Sequence, residues 1–321
     1  MPQVVIVSPY LRAANNGNWR TAERWRRHLA GVCDARIVDA WPDARAAADR
    51  AMIALHARRS APAIAAWSAA HPGRGLALVL TGTDLYRDIQ IDAEARRSLD
   101  RAQVLATLQA RAPLALPEAV RAKARVIYQT MPRRPTLAKT TRHLRALAVG
   151  HLREEKSPET LFAAARRLAG GDAILLDHVG AGLDPVLAAE ALATQAQAAH
   201  YRWLGGLPHE AVRRRIQRAH VLVHPSRMEG GAHVIIEAVT CGTPVLASRI
   251  DGNVGMLGED YAGYFPWGDA GALVDLLRRC RSDAGFLAHL RGQCARRAPL
   301  FDPATEAAAV RRLLADLLES P

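Results

Sequence analysis

Aromatic residues make up only 5 % of this 321-residue chain, although hydrophobic residues reach 50 %. A core must therefore be assembled from Ala, Leu, Val and Ile. Cysteine is equally sparse. Cys33, Cys241, Cys280 and Cys294 share no C-x-x-C spacing and stand beside no histidine cluster, so they read as reduced, mostly structural thiols of a cytosolic protein. Apolar runs are short and bounded by charge, which leaves no transmembrane span. The chain opens directly on Gln3-Val4-Val5-Ile6-Val7 with no basic segment or cleavage site. No signal peptide is expected from that opening, and the expected location is cytoplasmic. There is no Asp-x-Asp pair to hold a metal, no repeat of fixed period, and no low-complexity tract beyond Ala-rich helices.

Positive charge is abundant. The formal net charge is +12, which fits nucleic acid, an anionic membrane surface or small phosphorylated ligands. The basic residues are spread through many segments and form no recognisable nucleic-acid module, which favours the small ligands. Of the 43 Lys and Arg residues only Lys123, Lys139 and Lys156 are lysines, leaving 40 arginines. In so Arg-biased a chain, a lysine in a loop before a helix marks a place for a compact point charge.

The densest signal lies between residues 221 and 248. Val221-Leu222-Val223 reads as a short buried strand that stops at Pro225 and loosens through Gly230-Gly231. A helix then carries Val234, Ile235 and Ala238, and Cys241-Gly242-Thr243-Pro244 reads as a glycine C-cap leading into a second buried strand. Glu229 and Glu237 are eight residues apart, one in the loop and one about two turns into the helix. A strand, a Gly-rich turn and a helix N-terminus aim free N–H groups and a positive dipole end at one point, which suits phosphate or sugar oxygens. The Glu spacing taken alone fits an ordinary turn with a solvated face equally well.

Along the chain, strands are expected at residues 4–8, 36–39, 52–55, 76–80, 104–107 and 125–128, with helical segments between them, the first over 19–30. A polar loop, Asn15-Asn16-Gly17-Asn18, follows the first strand. Alternation of this kind predicts a doubly wound parallel sheet with ligands at the carboxyl ends of its strands. His56, Asp84 and Gln129 fall at such ends; His56 is either functional or a core histidine, and Asp84 either functional or a helix cap. Arg20, Arg24 and Arg27 share a helical face, which is either cationic site or solvated surface. Met131-Pro132-Arg133-Arg134-Pro135 reads as a linker. A second α/β series follows, with strands at 144–149, 174–179 and 201–204. Between the first two, Arg153 and Lys156 precede a helix expected to be capped by Ser157 and opened by Pro158. Residues 250–258 read as a Gly-rich loop. Asp302-Pro303 starts a last amphipathic helix with Val310, Leu313, Leu314 and Leu317 on one face.

Residues 144–258 resemble the retaining glycosyltransferases of family 4, which have the GT-B fold. The resemblance rests on Val149-Gly150 followed by Lys156, Gly180-Ala181-Gly182, the Leu204-Gly205 turn, Pro225-Ser226, the two glutamates and Gly242-Thr243-Pro244-Val245. His151 stands where that family usually has Arg. The resemblance implies α/β architecture of GT-B type: two Rossmann-like doubly wound parallel-sheet domains with the active site in the cleft between them. Residues 1–135 are then an acceptor domain onto which helix 302–321 packs back, and residues 136–301 a UDP-sugar donor domain. Donor contacts are expected from Gly17, Asn18, Arg153, Lys156, Gly205, Leu207, Glu229, Gly230, Gly231, Ala232 and Glu237. In that family the loop Glu, here Glu229, meets the donor sugar and the second, here Glu237, the ribose.

A narrower resemblance covers almost the whole chain. The stretches 17–25, 54–60, 80–86, 150–156, 229–232 and 252–258 are similar to the selenosugar synthases of selenoneine biosynthesis, which also carry His after Val-Gly. This implies carbon–selenium bond formation, with UDP-N-acetylglucosamine or UDP-glucose reacting with selenophosphate to give a 1-selenosugar. His56, Asp84, Lys156 and Glu229 are the expected catalytic residues, and Arg20, Arg58, Arg59 and Asn253 the acceptor contacts. Lys156, Arg153 and helix N-termini would stabilise the departing UDP, with neither a metal nor any other cofactor required. Enzymes that make selenophosphate are the expected pathway partners; nucleic acid and membrane are not. The alternatives are a glycosyltransferase with an ordinary sugar or lipid hydroxyl as acceptor, a GT-B UDP-sugar epimerase, and a non-catalytic nucleotide-sugar binder.

Overall fold

The computed structural model describes residues 1–11 and 17–319. Asn15 and Asn16 of the expected polar loop lie outside the described residues. The chain divides into two compact units, Met1–Gln129 with Pro303–Pro321, and Thr130–Asp302.

The first unit is built on a six-stranded parallel sheet in the order β2-β1-β3-β4-β5-β6. Its strands are β1 (Gln3–Val7), β2 (Asp34–Val38), β3 (Asp49–Leu55), β4 (Leu76–Val79), β5 (Val104–Thr107) and β6 (Ala124–Val126). Alternate residues feed two cores. Val4, Ile6, Ile53 and Leu55 pack with Trp25 and with Val310, Leu313, Leu314 and Leu317 of the helix Pro303–Glu319. Val5, Val7, Met52 and Ala54 face the other way, onto Ile64, Trp67 and Leu99. A sheet covered on both faces makes each strand an unbroken apolar run, which is why the strands stand out in the sequence. β3 starts three residues earlier than expected because buried Asp49 is held by Arg36 and by the Trp41 indole N–H.

The second unit repeats the plan in the order β12-β11-β10-β7-β8-β9. Here the strands are β7 (Leu144–Val149), β8 (Ile174–Val179), β9 (Tyr201–Trp203), β10 (Val221–His224), β11 (Val245–Ser248) and β12 (Tyr264–Phe265). Strand order reverses between β7 and β10, so the loops leaving those two strands diverge and open a crevice at their carboxyl ends.

Three local expectations are corrected. Residues 250–258 are not a Gly-rich loop: Asp251–Leu257 is a helix, and its own Val254, Met256 and Leu257 are buried. Ser157 stands at the N-cap position and Pro158 opens the helix Pro158–Arg167 as expected, but the serine side chain makes no capping bond: the residue is left-handed (φ 46°) and its hydroxyl accepts from the Trp267 indole N–H at 2.9 Å. Gly17 and Asn18 are not loop but open the helix Gly17–His28, where the Thr21 hydroxyl donates back to the Gly17 carbonyl at 2.9 Å.

Candidate active site

The loop leaving β7 brings Lys156 to the crevice of the second unit, and the loop leaving β10 brings Glu229. Lys156 Nζ lies 2.6 Å from Glu229 Oε1. His224, the last residue of β10, sets Nε2 3.0 Å from the same oxygen, but off the line a hydrogen bond needs. Burial alone pushes the Glu229 carboxyl up; Lys156 and His224 outweigh it and hold the group well below the usual carboxylate range. Gly252 explains how the loop is seated. A Cβ there would stand 2.2 Å from the Glu229 carbonyl oxygen, so only glycine lets the 251–257 helix underpin this residue.

The helix His233–Thr240 follows with Ala232 at its start, a residue with no side chain able to cap the first N–H groups. Glu237 is the fifth residue of this helix, about one and a half turns from its start rather than the expected two. Its Oε1 takes a 2.6 Å bond from His209 Nε2 and lies 3.7 Å from His233 Nδ1. Burial works against ionisation here too, but the two imidazoles bring the carboxyl down to about 2. The helix closes as the sequence indicates. Gly242 sits at φ 77°, its N–H reaching the Val239 carbonyl at 3.2 Å and that of Thr243 the Ala238 carbonyl at 2.9 Å.

A small pocket between these loops is lined by Gly150, Lys156, His178, His224 and Ser226. His178, on β8, is held by the Gly150 carbonyl at 3.2 Å and the Tyr201 hydroxyl at 3.0 Å, and burial pushes it down to about 4. Ser226 Oγ is buried without a hydrogen-bond partner among the described residues. Asn253 is fully buried, its amide N–H donating to the Ser248 carbonyl at 2.9 Å and hydroxyl at 3.1 Å. Gly180 must be glycine because a Cβ would stand 1.8 Å from the Gly150 carbonyl oxygen. Around the rim, Arg153 is exposed, Gly205 adopts φ 64°, and Leu207 lies in the turn before the helix His209–Arg218. Gly230 and Ala232 are buried and Gly231 half-buried.

In the first unit, His56 follows β3, at that sheet's own reversal of strand order, with φ 75°. A left-handed histidine is strained and needs its surroundings to fix it. Asp84 does so: its carboxylate accepts from the Ala57 N–H at 3.0 Å and from those of Thr81 and Gly82 at 2.9 Å. The His56 ring meets the Thr83 hydroxyl at 3.3 Å and buried Asp88 at 3.8 Å. Arg58 and Arg59 are exposed beside it, Arg58 at 3.7 Å from Asp88 and Arg59 over the Tyr10 ring. Gly17, Asn18 and Arg20 lie on the first two turns of their helix.

The structure thus gathers Lys156, Glu229, Glu237, Gly230, Gly231 and Ala232 in one unit, and His56, Asp84, Arg58 and Arg59 at one point of the other. His224 and His209, which hold the two glutamates, went unnoticed in the sequence. Its one signal was a histidine ending an otherwise apolar strand. Among the described residues no group of three or more His, Cys, Asp or Glu is placed to hold a metal ion, and no helix is long and apolar enough to cross a membrane.

Several solved structures share this architecture. Sucrose-phosphate synthase from Thermosynechococcus elongatus is 18 % identical, with a TM-score of 0.78 over 99 % of both chains. HepE from Anabaena, solved with UDP and glucose, is 15 % identical, with a TM-score of 0.75 over 99 % of this chain and 100 % of that one. The pneumococcal O-GlcNAc transferase GtfA, solved with UDP and GlcNAc, is 14 % identical, with a TM-score of 0.62 over 84 % of this chain and 57 % of its own. At such identities the likeness speaks for the fold, which is GT-B. Residues 133–298 match the family described as glycosyl transferases group 1, and with more than half of its length so matched the chain belongs to that family.

Proposed function

We propose that this glycosyltransferase takes a sugar from a UDP-sugar, UDP-N-acetylglucosamine or UDP-glucose, and forms a carbon–selenium bond with selenophosphate. The observation that carries the donor half is the pairing at the crevice of the second unit. One lysine of three in the chain and the buried, ionised Glu229 stand where two strand-end loops part, next to an uncapped helix start whose helix carries the second buried, ionised glutamate, Glu237. Lys156 and those N–H groups suit a diphosphate, Glu237 the ribose hydroxyls and Glu229 a hydroxyl of the sugar. UDP in the solved HepE and GtfA structures is in keeping with this reading.

The acceptor half rests on the selenosugar-synthase resemblance, and exposed Arg58 and Arg59 beside His56 suit an anionic acceptor. In the reaction the anomeric C–O bond breaks with its electron pair going to the UDP β-phosphate, while a selenium lone pair forms the C–Se bond. Water then cleaves Se–P, releasing inorganic phosphate and the 1-selenosugar. Because selenophosphate is already an anion, no strong base is needed; His56 and Asp84 then position the acceptor or handle the proton of the second step. Selenophosphate would come from a separate phosphorylating enzyme.

The test is incubation with each UDP-sugar and selenophosphate, following UDP release and the product by mass spectrometry. The reading expects stoichiometric UDP and a product with the selenium isotope pattern. UDP release only with a hydroxyl acceptor would assign an ordinary glycosyltransferase, and conversion of UDP-sugar with no acceptor an epimerase.

A further inference from the structure

We propose that donor binding exchanges the partner of Glu229: Lys156 leaves the carboxylate for the donor diphosphate, and His224 takes up a proton to replace it. This rests on the donor reading given above and adds a proton-linked switch to it.

Two basic side chains share one oxygen. Lys156 Nζ and His224 Nε2 both approach Glu229 Oε1, at 2.6 and 3.0 Å. Their freedom differs. The Lys156 side chain is 34 % exposed and its stem lies along Gly150, where there is no side chain to hold it back. The His224 side chain is 2 % exposed at the end of a central strand and cannot leave; that of Glu229 is 9 % exposed. A diphosphate carries more charge than a carboxylate and draws the mobile lysine. The buried carboxylate cannot be left without a counter-charge, because a lone charge in such surroundings is far costlier than binding a proton nearby.

The groups that face His224 identify where that proton goes. From the loop after β10 comes Glu229, from the loop after β7 Lys156, and from β8 His178. His178 is pushed down to about 4 by its burial and holds fixed partners on both ring nitrogens, so it does not compete. Ser226, from the same loop as Glu229, and Ser248 and Asn253, behind it, do not titrate. His224 Nε2 also lacks an aligned hydrogen bond now, and Ser226 Oγ in the same pocket lacks any. Both are ready for the rearranged state. The exchange keeps Glu229 ionised, and therefore able to accept a sugar hydroxyl, after its lysine has gone.

The experiment is calorimetric titration of UDP into the 321-residue chain at neutral pH, in buffers of different ionisation heat, which counts protons bound per UDP. Two variants are compared, His224→Asn and Lys156→Met. Wild type is expected to take up a measurable fraction of a proton, approaching about one, beyond what His224→Asn takes up. Lys156→Met should bind UDP at least about tenfold more weakly and lose the extra uptake, because its His224 is already the sole partner of Glu229. Equal proton counts in wild type and either variant would overturn the exchange while leaving the donor reading standing. No UDP binding by wild type would overturn both. Should His224→Asn fail to fold, the comparison with Lys156→Met decides.

Discussion

Single side chains at the crevice are fixed by partners far away in the chain, and His178 shows what that costs. Its ring sits between the Gly150 carbonyl and the Tyr201 hydroxyl and fits only when neutral. The folded value of about 4 lies below the ordinary 6.5, so His178 stabilises the fold fully above pH 6.5, an effect lost as the pH falls toward 4, where the unfolded chain binds the extra proton. The difference amounts to about 3 kcal/mol at most. Urea midpoints measured across that range should fall for wild type and fall distinctly less for His178→Gln; parallel curves would contradict the assignment. The glutamates were legible in the sequence because their spacing and glycines form a local pattern. His209 was not, since it lies 28 residues from Glu237 and only the fold brings the two together; His224 is only five residues before Glu229, but a histidine ending an apolar strand carries no local pattern that marks it as a partner. Asp84 was legible as a strand-end carboxylate, though not as the brace of a strained histidine.

Elements were read well where packing and pattern agree. Strands at 104–107, 144–149 and 174–179 coincide with β5, β7 and β8 because both faces of each sheet are buried. Short β12 carried too little pattern to be seen. Residues 251–257 misled because Gly252 and Gly255 argue locally against a helix, each by about 1 kcal/mol relative to alanine. Tertiary packing overrules them: the first of the two glycines is the point of closest approach to Glu229. Gly252→Ala therefore sets two effects against each other. Alanine gains about 1 kcal/mol of helix propensity, but its Cβ meets the Glu229 carbonyl, an overpacking cost of about 1–3 kcal/mol. The account expects net destabilisation and UDP affinity weakened at least about tenfold, read by denaturation and calorimetry. A more stable variant that binds UDP normally would mean the 251–257 helix does not seat Glu229.

At the scale of the whole molecule, the two sheets share one plan, and strand order reverses beside His56 in one and beside Lys156 and Glu229 in the other. The alternation of apolar runs and helical stretches predicted the parallel sheets, with ligands at the strand ends, but not their strand order. The helix Pro303–Glu319 was legible as amphipathic. Its buried Glu306 was not, although that carboxylate takes hydrogen bonds from Arg24 at 2.8 Å and from the Trp25 indole at 2.8 Å and so fastens the chain's last helix to its first. The family match fixes sugar transfer as the class of chemistry; to this the proposed function adds Lys156 as the partner of the diphosphate and Glu237 as that of the ribose. The most direct measurement is a crystal structure with UDP bound. The account predicts the β-phosphate within hydrogen-bond distance of Lys156 Nζ, now turned from Glu229, and a ribose hydroxyl on Glu237. UDP lodged elsewhere, or Lys156 still on Glu229 with the nucleotide in place, would contradict it.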